Sequence, residues 1–245
     1  MTDVTATTAG PLALVGSGEF LPAMADVDAG LLDGRPRRVA VLPTAAGPEG
    51  DRSVRRWFDL AHRHYAGLDA EVVEVDVRDR DAAMDHRFVD LLDGVGLVYL
   101  SGGNPGHLAD SLRGTPLGEA IAATWRAGAA LAGCSAGAMA LGRTTLTMRT
   151  HPVEGLGLAG PVATIPHFDR FGFARRIAGA VSSLVIDRGE TIVGVDEDTA
   201  VVWSPTDGGW RAMGAAKVWL VTPSGGRGQG HGHGERVPLP EPAAA

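Results

Sequence analysis

A serine between two glycines follows a short apolar run, in the stretch Gly133-Cys134-Ser135-Ala136-Gly137. The apolar run at residues 129–132 favours a buried strand, and the apolar residues after the turn favour a helix. A Gly-x-Ser-x-Gly turn between a strand and a helix can hold a serine hydroxyl as a nucleophile towards acyl groups. Glycine is common in this chain, at 35 of 245 residues, so an ordinary strand-to-helix turn is the competing interpretation of Ser135.

A serine nucleophile needs a general base, and the chain has eight histidines. Five are expected to be solvated, on helices or in a Gly-rich C-terminal segment: His62, His64, His86, His231 and His233. The remaining candidates are His107, His151 and His167. His167 ends a short apolar run just before an expected helix, which favours it as the base at the sheet edge that carries Ser135. A structural histidine is the alternative.

The base in turn needs an acid that orients its ring, and three acidic residues stand together between two expected strands. These are Asp196, Glu197 and Asp198. Alternation along the preceding strand does not say which of the three points inward, and such a cluster is often a solvated turn. The pattern leaves all three open.

Two Gly-rich loops follow other expected strands. The loop at 101–106 can place the Gly103 N–H beside Ser135, where it and the Ala136 N–H would form an oxyanion hole. The alternative is a tight turn that starts the next helix. The loop at 16–19 resembles half of a dinucleotide-binding fingerprint, but Leu21 stands where its third glycine should be. We therefore do not expect nucleotide binding.

Alternating patterns of hydrophobicity predict the elements that position these loops. Strands are expected at 12–16, 38–42, 70–75, 96–100, 129–132 and 162–166, and helices at 54–66, 82–92, 105–113, 116–127 and 171–186. This order predicts an α/β fold with a mostly parallel sheet flanked by helices and functional loops at the carboxyl ends of its strands. Later β-type runs at 191–195, 199–203, 211–213 and 216–221 predict a C-terminal antiparallel extension at the sheet edge.

Composition bounds the organisation of the chain. We expect one α/β domain at residues 11–222, a disordered N-terminus at residues 1–10 and a disordered Gly/Pro-rich tail at residues 223–245. The net charge of −7 and the absence of a Lys/Arg run argue against nucleic acid as a partner. The single cysteine, Cys134, suits a reducing compartment and reads as a small buried core residue. No apolar stretch or leader-like start suggests a membrane, so we expect a cytoplasmic protein.

Four segments together resemble one known family. They are 100–104 (LSGGN), 133–138 (GCSAGA), 166–168 (PHF) and 194–200 (GVDEDTA). The combination resembles the cyanophycinase and α-aspartyl dipeptidase family of serine peptidases over about residues 12–221. The order Ser, His, Glu differs from the Ser, acid, His order of α/β-hydrolases. The resemblance implies a class I glutamine amidotransferase-like fold, with Ser135 as nucleophile, His167 as base, Glu197 as acid, and no cofactor or metal.

The resemblance also implies a small peptide as substrate, with a preference for aspartyl bonds. Candidate substrate-binding residues are Asn104, Arg170 and Arg176; the arginines could grip a carboxylate in bidentate fashion, or lie on a solvated helix face. Phenylalanines at 171 and 173 stand where cyanophycinases carry arginines, which indicates a more apolar pocket. Two other functions stay open: an esterase or amidase acting on a non-peptide acyl group, and a non-catalytic amidotransferase-like binding protein. A homodimer is also left open.

Overall fold

The computed structural model describes residues 9–147, 152–170, 185, 188–222 and 226–243. Five parallel strands form one side of its main sheet: β1 (Leu12–Val15), β2 (Arg38–Leu42), β3 (Glu71–Glu74), β4 (Leu97–Leu100) and β5 (Ala130–Cys134). They lie in the order β3-β2-β4-β5-β1. Because β1, β4 and β5 are parallel neighbours, the loops that follow them share one edge of the sheet.

Helices cover both faces of this sheet. They are α1 (Ala25–Leu31), α2 (Asp51–Ala66), α3 (Arg80–Ala83), α4 (His86–Asp90), α5 (Pro105–Leu112), α6 (Pro116–Arg126) and α7 (Ala136–Leu141), with 3₁₀ turns at Pro22–Met24 and Thr44–Glu49. Along β1, Leu12 and Leu14 pack in the core shared with α5 and α6, while Ala13 and Val15 pack in the core shared with α1 and α2. The alternation follows from the two-residue period of a strand. The predicted α/β fold is confirmed.

One expected helix is split. Residues 82–92 contain α4 and the end of α3, because Asp85 accepts a hydrogen bond from the Arg87 N–H at 3.0 Å and begins α4. An aspartate at this position satisfies an N–H group that a continuous helix would bond to its own backbone. The short helix α1 was not predicted. The helix expected at 171–186 falls, apart from Val185, outside the described residues.

The chain after α7 adds short strands: β6 (Thr144–Thr145), β7 (Val153–Glu154), β8 (Val162–Ile165), β9 (Thr191–Val195), β10 (Thr199–Ser204), β11 (Gly209–Gly214), β12 (Val218–Val221), β13 (Arg227–His231) and β14 (Arg236–Val237). The predicted antiparallel extension is present: β10 pairs with β1, β11 with β10, and β14 with β11. The prediction is wrong for β9 and β12, which were expected in this extension and do not join it. They form a second sheet in the order β13-β12-β9-β8, in which β8 and β9 are parallel.

The prediction of a disordered tail at 223–245 is wrong for residues 226–243. Within that stretch β13 pairs with β12, β14 pairs with β11, and the Trp210 Nε1–H donates to the Pro240 carbonyl at 2.8 Å. Glycine suggested flexibility, but here it permits close packing. A Cβ at Gly230 would lie 2.7 Å from the Trp219 ring. Folded structure therefore continues beyond residue 222.

At the other end, residues 1–8 of the expected disordered N-terminus (1–10) lie outside the described part of the chain. Gly10 is held in the fold: its N–H donates to the Trp125 carbonyl at 2.9 Å, and its carbonyl accepts from Trp125 Nε1 at 2.7 Å. None of the helices in the described ranges combines the length and apolar character needed to cross a bilayer.

Candidate active site

Ser135 lies on a sharp turn between β5 and α7. Its backbone has φ 50° and ψ −106°, a conformation that costs energy for a residue with a side chain. The Ser135 N–H donates to the Val15 carbonyl at 2.9 Å, which fixes the turn to the end of β1. A Cβ at Gly133 or Gly137 would collide with backbone, of the helix in the first case and of Leu100 in the second. Both glycines are therefore needed for the strand and helix to meet so closely.

His167 reaches Ser135 from the second sheet. It follows β8 after Pro166, and its φ of 50° shows that the backbone leaves the extended conformation of the strand at this residue. Ser135 Oγ and His167 Nε2 are 3.1 Å apart, within hydrogen-bond distance. The imidazole is 31% exposed, so a substrate can approach it.

Glu197 completes a chain of three groups. It lies in the turn that carries the backbone from β9 in the second sheet to β10 in the first. Its Oε1 is 2.9 Å from His167 Nδ1, and its Oε2 accepts from Arg170 Nη2 at 2.8 Å. Partial burial acts to raise the pKa of Glu197, but the hydrogen bonds from His167 and Arg170 outweigh it and hold the pKa below its usual value. The carboxylate is thus ionised at neutral pH.

The two neighbouring acids have other contacts. Asp196 is buried, accepts from Trp219 Nε1 at 3.0 and 3.1 Å, and accepts from the Lys217 N–H at 3.2 Å. Burial raises the pKa of Asp196. Asp198 has φ 53° and its N–H donates to Ser17 Oγ at 3.3 Å. Of the three candidates that the sequence left open, Glu197 contacts the imidazole.

Phe168 seats the segment that carries His167. Its N–H donates to the Val195 carbonyl at 3.1 Å, and its ring lies over Gly194, where any Cβ would collide with it. The Arg227 guanidinium lies 5.7 Å from the Phe168 ring centroid and 4.9 Å from that of Trp219. Because Phe168 is 3% exposed, its position constrains the histidine next to it.

The expected oxyanion donors lie at the same edge. Ala136 is the first residue of α7, whose first N–H groups have no partner within the helix. Gly103 has φ 141° and packs against the backbone of Ala45 so closely that no side chain would fit. A Cβ on the adjacent Gly102 would lie 3.5 Å from Ser135 Cβ, so this loop borders the nucleophile.

The structure describes two of the three predicted substrate-binding residues, and these two lie in different surroundings. Asn104 lines a cavity of about 550 Å³ together with Gly103, but its Oδ1 accepts from the His107 N–H at 3.0 Å and begins α5. Arg170 is 70% exposed and contacts Glu197. Arg176 lies outside the described residues.

Two of the other histidines are not solvated as expected. His64 is 4% exposed and its Nε2 lies 2.7 Å from the buried carboxylate of Asp28. His231 is buried in β13. His107 Nε2 lies 2.6 Å from the Arg78 carbonyl, and His151 falls outside the described residues. Of the two candidates that the structure describes, His107 and His167, it is His167 that lies within hydrogen-bond distance of Ser135.

The structure confirms one residue that the sequence predicted to be in the core, and it shows a buried acidic residue that the sequence analysis missed. Cys134 is fully buried and free, as predicted. Glu19, in the loop set aside as half a nucleotide fingerprint, is buried and contacts both Cys134 and Gly102. A charged residue within a short Gly-rich loop was the available signal. Among the described residues, no group of three or more His, Cys, Asp or Glu side chains could hold a metal ion.

Comparison with known proteins gives consistent matches. The model of peptidase family S51 matches residues 12–207. Cyanophycinases from Nostoc sp. (strain PCC 7120 / SAG 25.82 / UTEX 2576) and Trichormus variabilis (strain ATCC 29413 / PCC 7937) are each 31% identical over 178 residues, which cover 66% of this chain. The chain spans 57% of the length of each of these relatives.

Solved structures agree with the fold. The crystal structure of a peptidase from an acI-B1 Actinobacterium has a TM-score of 0.84 and 35% identity, and the match covers 95% of this chain and 98% of that one. A putative peptidase E protein from Listeria monocytogenes EGD-e has a TM-score of 0.61 and 16% identity, over 85% of this chain and all of that one. At that identity the second likeness supports the fold alone.

Proposed function

The chain belongs to peptidase family S51, and we propose that it is a serine peptidase that hydrolyses small peptides through an acyl-enzyme on Ser135. The observation that carries the proposal is the hydrogen-bonded series from Ser135 through His167 to Glu197, with separations of 3.1 and 2.9 Å. The order hydroxyl, imidazole, carboxylate is the arrangement that activates a serine in unrelated hydrolases.

Each group has one role in the proposed reaction. His167 Nε2 takes the proton of Ser135 Oγ as the oxygen attacks the peptide carbonyl, and later gives it to the leaving amine. Glu197 holds the ring through Nδ1 and stabilises the imidazolium that forms. The N–H groups of Gly103 and Ala136 stabilise the negative oxygen of the tetrahedral intermediate. A water molecule then attacks the acyl-enzyme, with His167 again as base.

Loss of the nucleophile tests the proposal directly. A panel of dipeptides and isoaspartyl peptides is incubated with the wild type, with Ser135→Ala and with Ser204→Ala as a matched control in β10. We expect Ser135→Ala to lower kcat by at least about 10³-fold, and Ser204→Ala to behave as wild type. A fluorophosphonate should label Ser135. Equal turnover by Ser135→Ala would reject the nucleophile, and labelling with every peptide inert would favour an esterase or amidase.

A finer proposal concerns the side chain at the cleaved bond. We propose a preference for aspartyl bonds, with Arg170 or Arg176 as the cation that binds the substrate carboxylate. Support comes from the exposed guanidinium of Arg170, which is bound through one of its nitrogens to Glu197, the carboxylate that contacts His167. A planar guanidinium has donors enough for two carboxylates.

Selectivity ratios test this preference. We compare kcat/KM for Asp-Leu, Asn-Leu and Ala-Leu in the wild type, Arg170→Gln, Arg176→Gln and the exposed control Arg143→Gln. Loss of the binding arginine should lower the Asp-Leu to Asn-Leu ratio by about 10-fold or more, since a charged hydrogen bond is worth about 1.5–3 kcal/mol. A wild-type ratio near one would contradict the aspartyl preference, and a ratio unchanged in both variants would contradict the role of the two arginines; either result leaves the peptidase proposal intact.

A further inference from the structure

A buried carboxylate lies behind the nucleophile, in the loop after β1. Glu19 is 7% exposed. Its Oε1 accepts from the Gly102 N–H at 3.1 Å, and its Oε2 accepts from the Cys134 thiol at 2.9 Å. Gly102 directly precedes the proposed oxyanion donor Gly103, and Cys134 directly precedes Ser135. One side chain therefore joins the two backbone segments whose spacing an oxyanion hole depends on.

The loop that carries Glu19 is itself fixed at several points. The Gly16 N–H donates to the Thr199 carbonyl at 2.8 Å. Gly18, at φ 83°, lies so close to Asp198 that a Cβ would collide with the Asp198 carboxylate. Phe20, at φ 61°, anchors the end of the loop by packing on Tyr99 with ring centroids 4.8 Å apart. These contacts hold Glu19 between the Glu197 turn and the nucleophile turn.

We propose that Glu19 is a positioning residue, which sets the Gly102–Gly103 amides relative to Ser135 and so shapes the oxyanion hole. The inference rests on the proposed peptidase function. Without an acceptor at Glu19, the buried Gly102 N–H would lack its partner, and the loop would move to find another. A displacement of the next amide matters because an oxyanion donor acts only at about 2.7–3.1 Å from the developing charge.

The chemistry of Cys134 fits this arrangement. Burial raises the pKa of the Cys134 thiol, and the neighbouring Glu19 carboxylate raises it further. The Cys134 thiol thus keeps its proton and donates a hydrogen bond to the Glu19 carboxylate. Both oxygens of the carboxylate then have a donor, as a buried carboxylate requires.

Two substitutions of Glu19 distinguish its role as a hydrogen-bond acceptor from the role of filling space in the core. Glu19→Met keeps the length of the side chain and removes both oxygens, whereas Glu19→Gln keeps a carbonyl acceptor for Gly102. The matched control is Glu190→Met. Glu190 is also buried and accepts a hydrogen bond from Thr144 Oγ1 at 2.7 Å, but it precedes the first residue of β9, whereas the candidate site lies beyond the last residue of that strand. All variants are assayed for kcat, KM, thermal midpoint and inhibition by a peptidyl boronic acid, which forms a tetrahedral adduct with the serine.

We expect Glu19→Met to lower kcat by about 10- to 100-fold, since removal of a whole oxyanion donor costs about 10²–10³. KM should stay within about threefold, the boronic acid should bind more weakly by the same factor as kcat/KM falls, and Glu19→Gln should recover to within about fivefold of wild type. Glu190→Met should lose stability and keep its kcat.

Three results would overturn the positioning role: wild-type kcat in Glu19→Met, boronic acid affinity unchanged while kcat falls, or an equal kcat loss in Glu190→Met. If Glu19→Met does not fold, hydrogen exchange at the wild-type Gly102 amide decides, because a bonded buried amide exchanges slowly and exchange as fast as in an open loop would reject the contact. Failure of the peptidase proposal looks different: Ser135→Ala would then match the wild type.

Discussion

Backbone strain at single residues coincides with the candidate site. In the described part of the chain, non-glycine residues with positive φ are Phe20, Asp69, Ser135, His167 and Asp198. All except Asp69 lie in the loops that meet around the hydroxyl of Ser135. Such conformations cost about 1–3 kcal/mol each and persist only where the surrounding packing fixes them. Their concentration here indicates that the fold spends stability on the placement of these side chains.

Replacing the acid of the series should slow the reaction without removing the nucleophile. We expect Glu197→Gln to lower kcat by about 10²–10⁴-fold, because an amide does not hold the imidazole in the required tautomer or stabilise its cation. The exposed Glu154→Gln serves as the matched control. Steady-state kinetics on the best dipeptide measure both, and a loss below threefold in Glu197→Gln would count against its role.

The same residue predicts a dependence of stability on pH. The pKa of Glu197 is lowered in the fold, so its ionised form favours the folded state. That contribution is fully present above the unfolded value of about 4.3 and is lost as the pH falls through the lower folded pKa. In urea unfolding between pH 3 and 7, the advantage of the wild type over Glu197→Gln should therefore shrink on the acid side. An advantage independent of pH would contradict the lowered pKa.

At the scale of elements, local patterns specified the parallel core well. The apolar runs of β1, β2 and β4 were predicted to within one residue, because strands buried on both faces are continuously apolar. The pairing of β8 with β9 joins segments separated by 25 residues or more and left no local signal. The strand Arg227–His231 was missed because its glycines were read as flexibility rather than as close approach to Trp219.

The close contact between β5 and α7 should tolerate no side chain. In Gly137→Ala the new methyl group would collide with the Leu100 carbonyl, so we expect a loss of about 1–3 kcal/mol in the free energy of unfolding and a large fall in kcat. Gly30→Ala is the control, because Gly30 lies in α1 with open space around its Cα. That variant should gain about 0.4–1 kcal/mol and keep its activity. Denaturant unfolding measures both, and an active, stable Gly137→Ala would exclude the packing argument.

At the scale of the whole molecule, the site is divided between two sheets. Ser135 follows a strand of the main sheet, His167 follows a strand of the second sheet, and Glu197 lies in the turn that joins them. Each residue could be proposed from its own neighbourhood, but their convergence depends on how the sheets pack. The sequence predicted that His167 and Ser135 lie at one edge of the same sheet, but β5 and β8 belong to different sheets. The choice of Glu197 over its acidic neighbours needed the family resemblance.

Through the second sheet, the C-terminal strand β13 contacts Phe168, the residue next to His167. Arg227 in β13 covers the rings of Phe168 and Trp219, and its Nη2 donates to the Phe168 carbonyl at 3.4 Å. In Arg227→Ala, Phe168 loses this cover and the His167 segment loosens. Since small displacements of catalytic groups are costly, we expect kcat to fall about 10-fold, with a lower thermal midpoint.

The matched control is Arg236→Ala in β14, whose guanidinium contacts the Asp207 carbonyl at 3.0 Å in the main sheet. Arg236→Ala should keep the wild-type kcat, although it too removes an arginine side chain from a C-terminal strand. Arg227→Lys, which retains a cation over the rings, should lie between Arg227→Ala and the wild type. If Arg227→Ala and Arg236→Ala lose activity equally, the segment only stabilises the fold; if only the first does, the second sheet positions the base through Phe168.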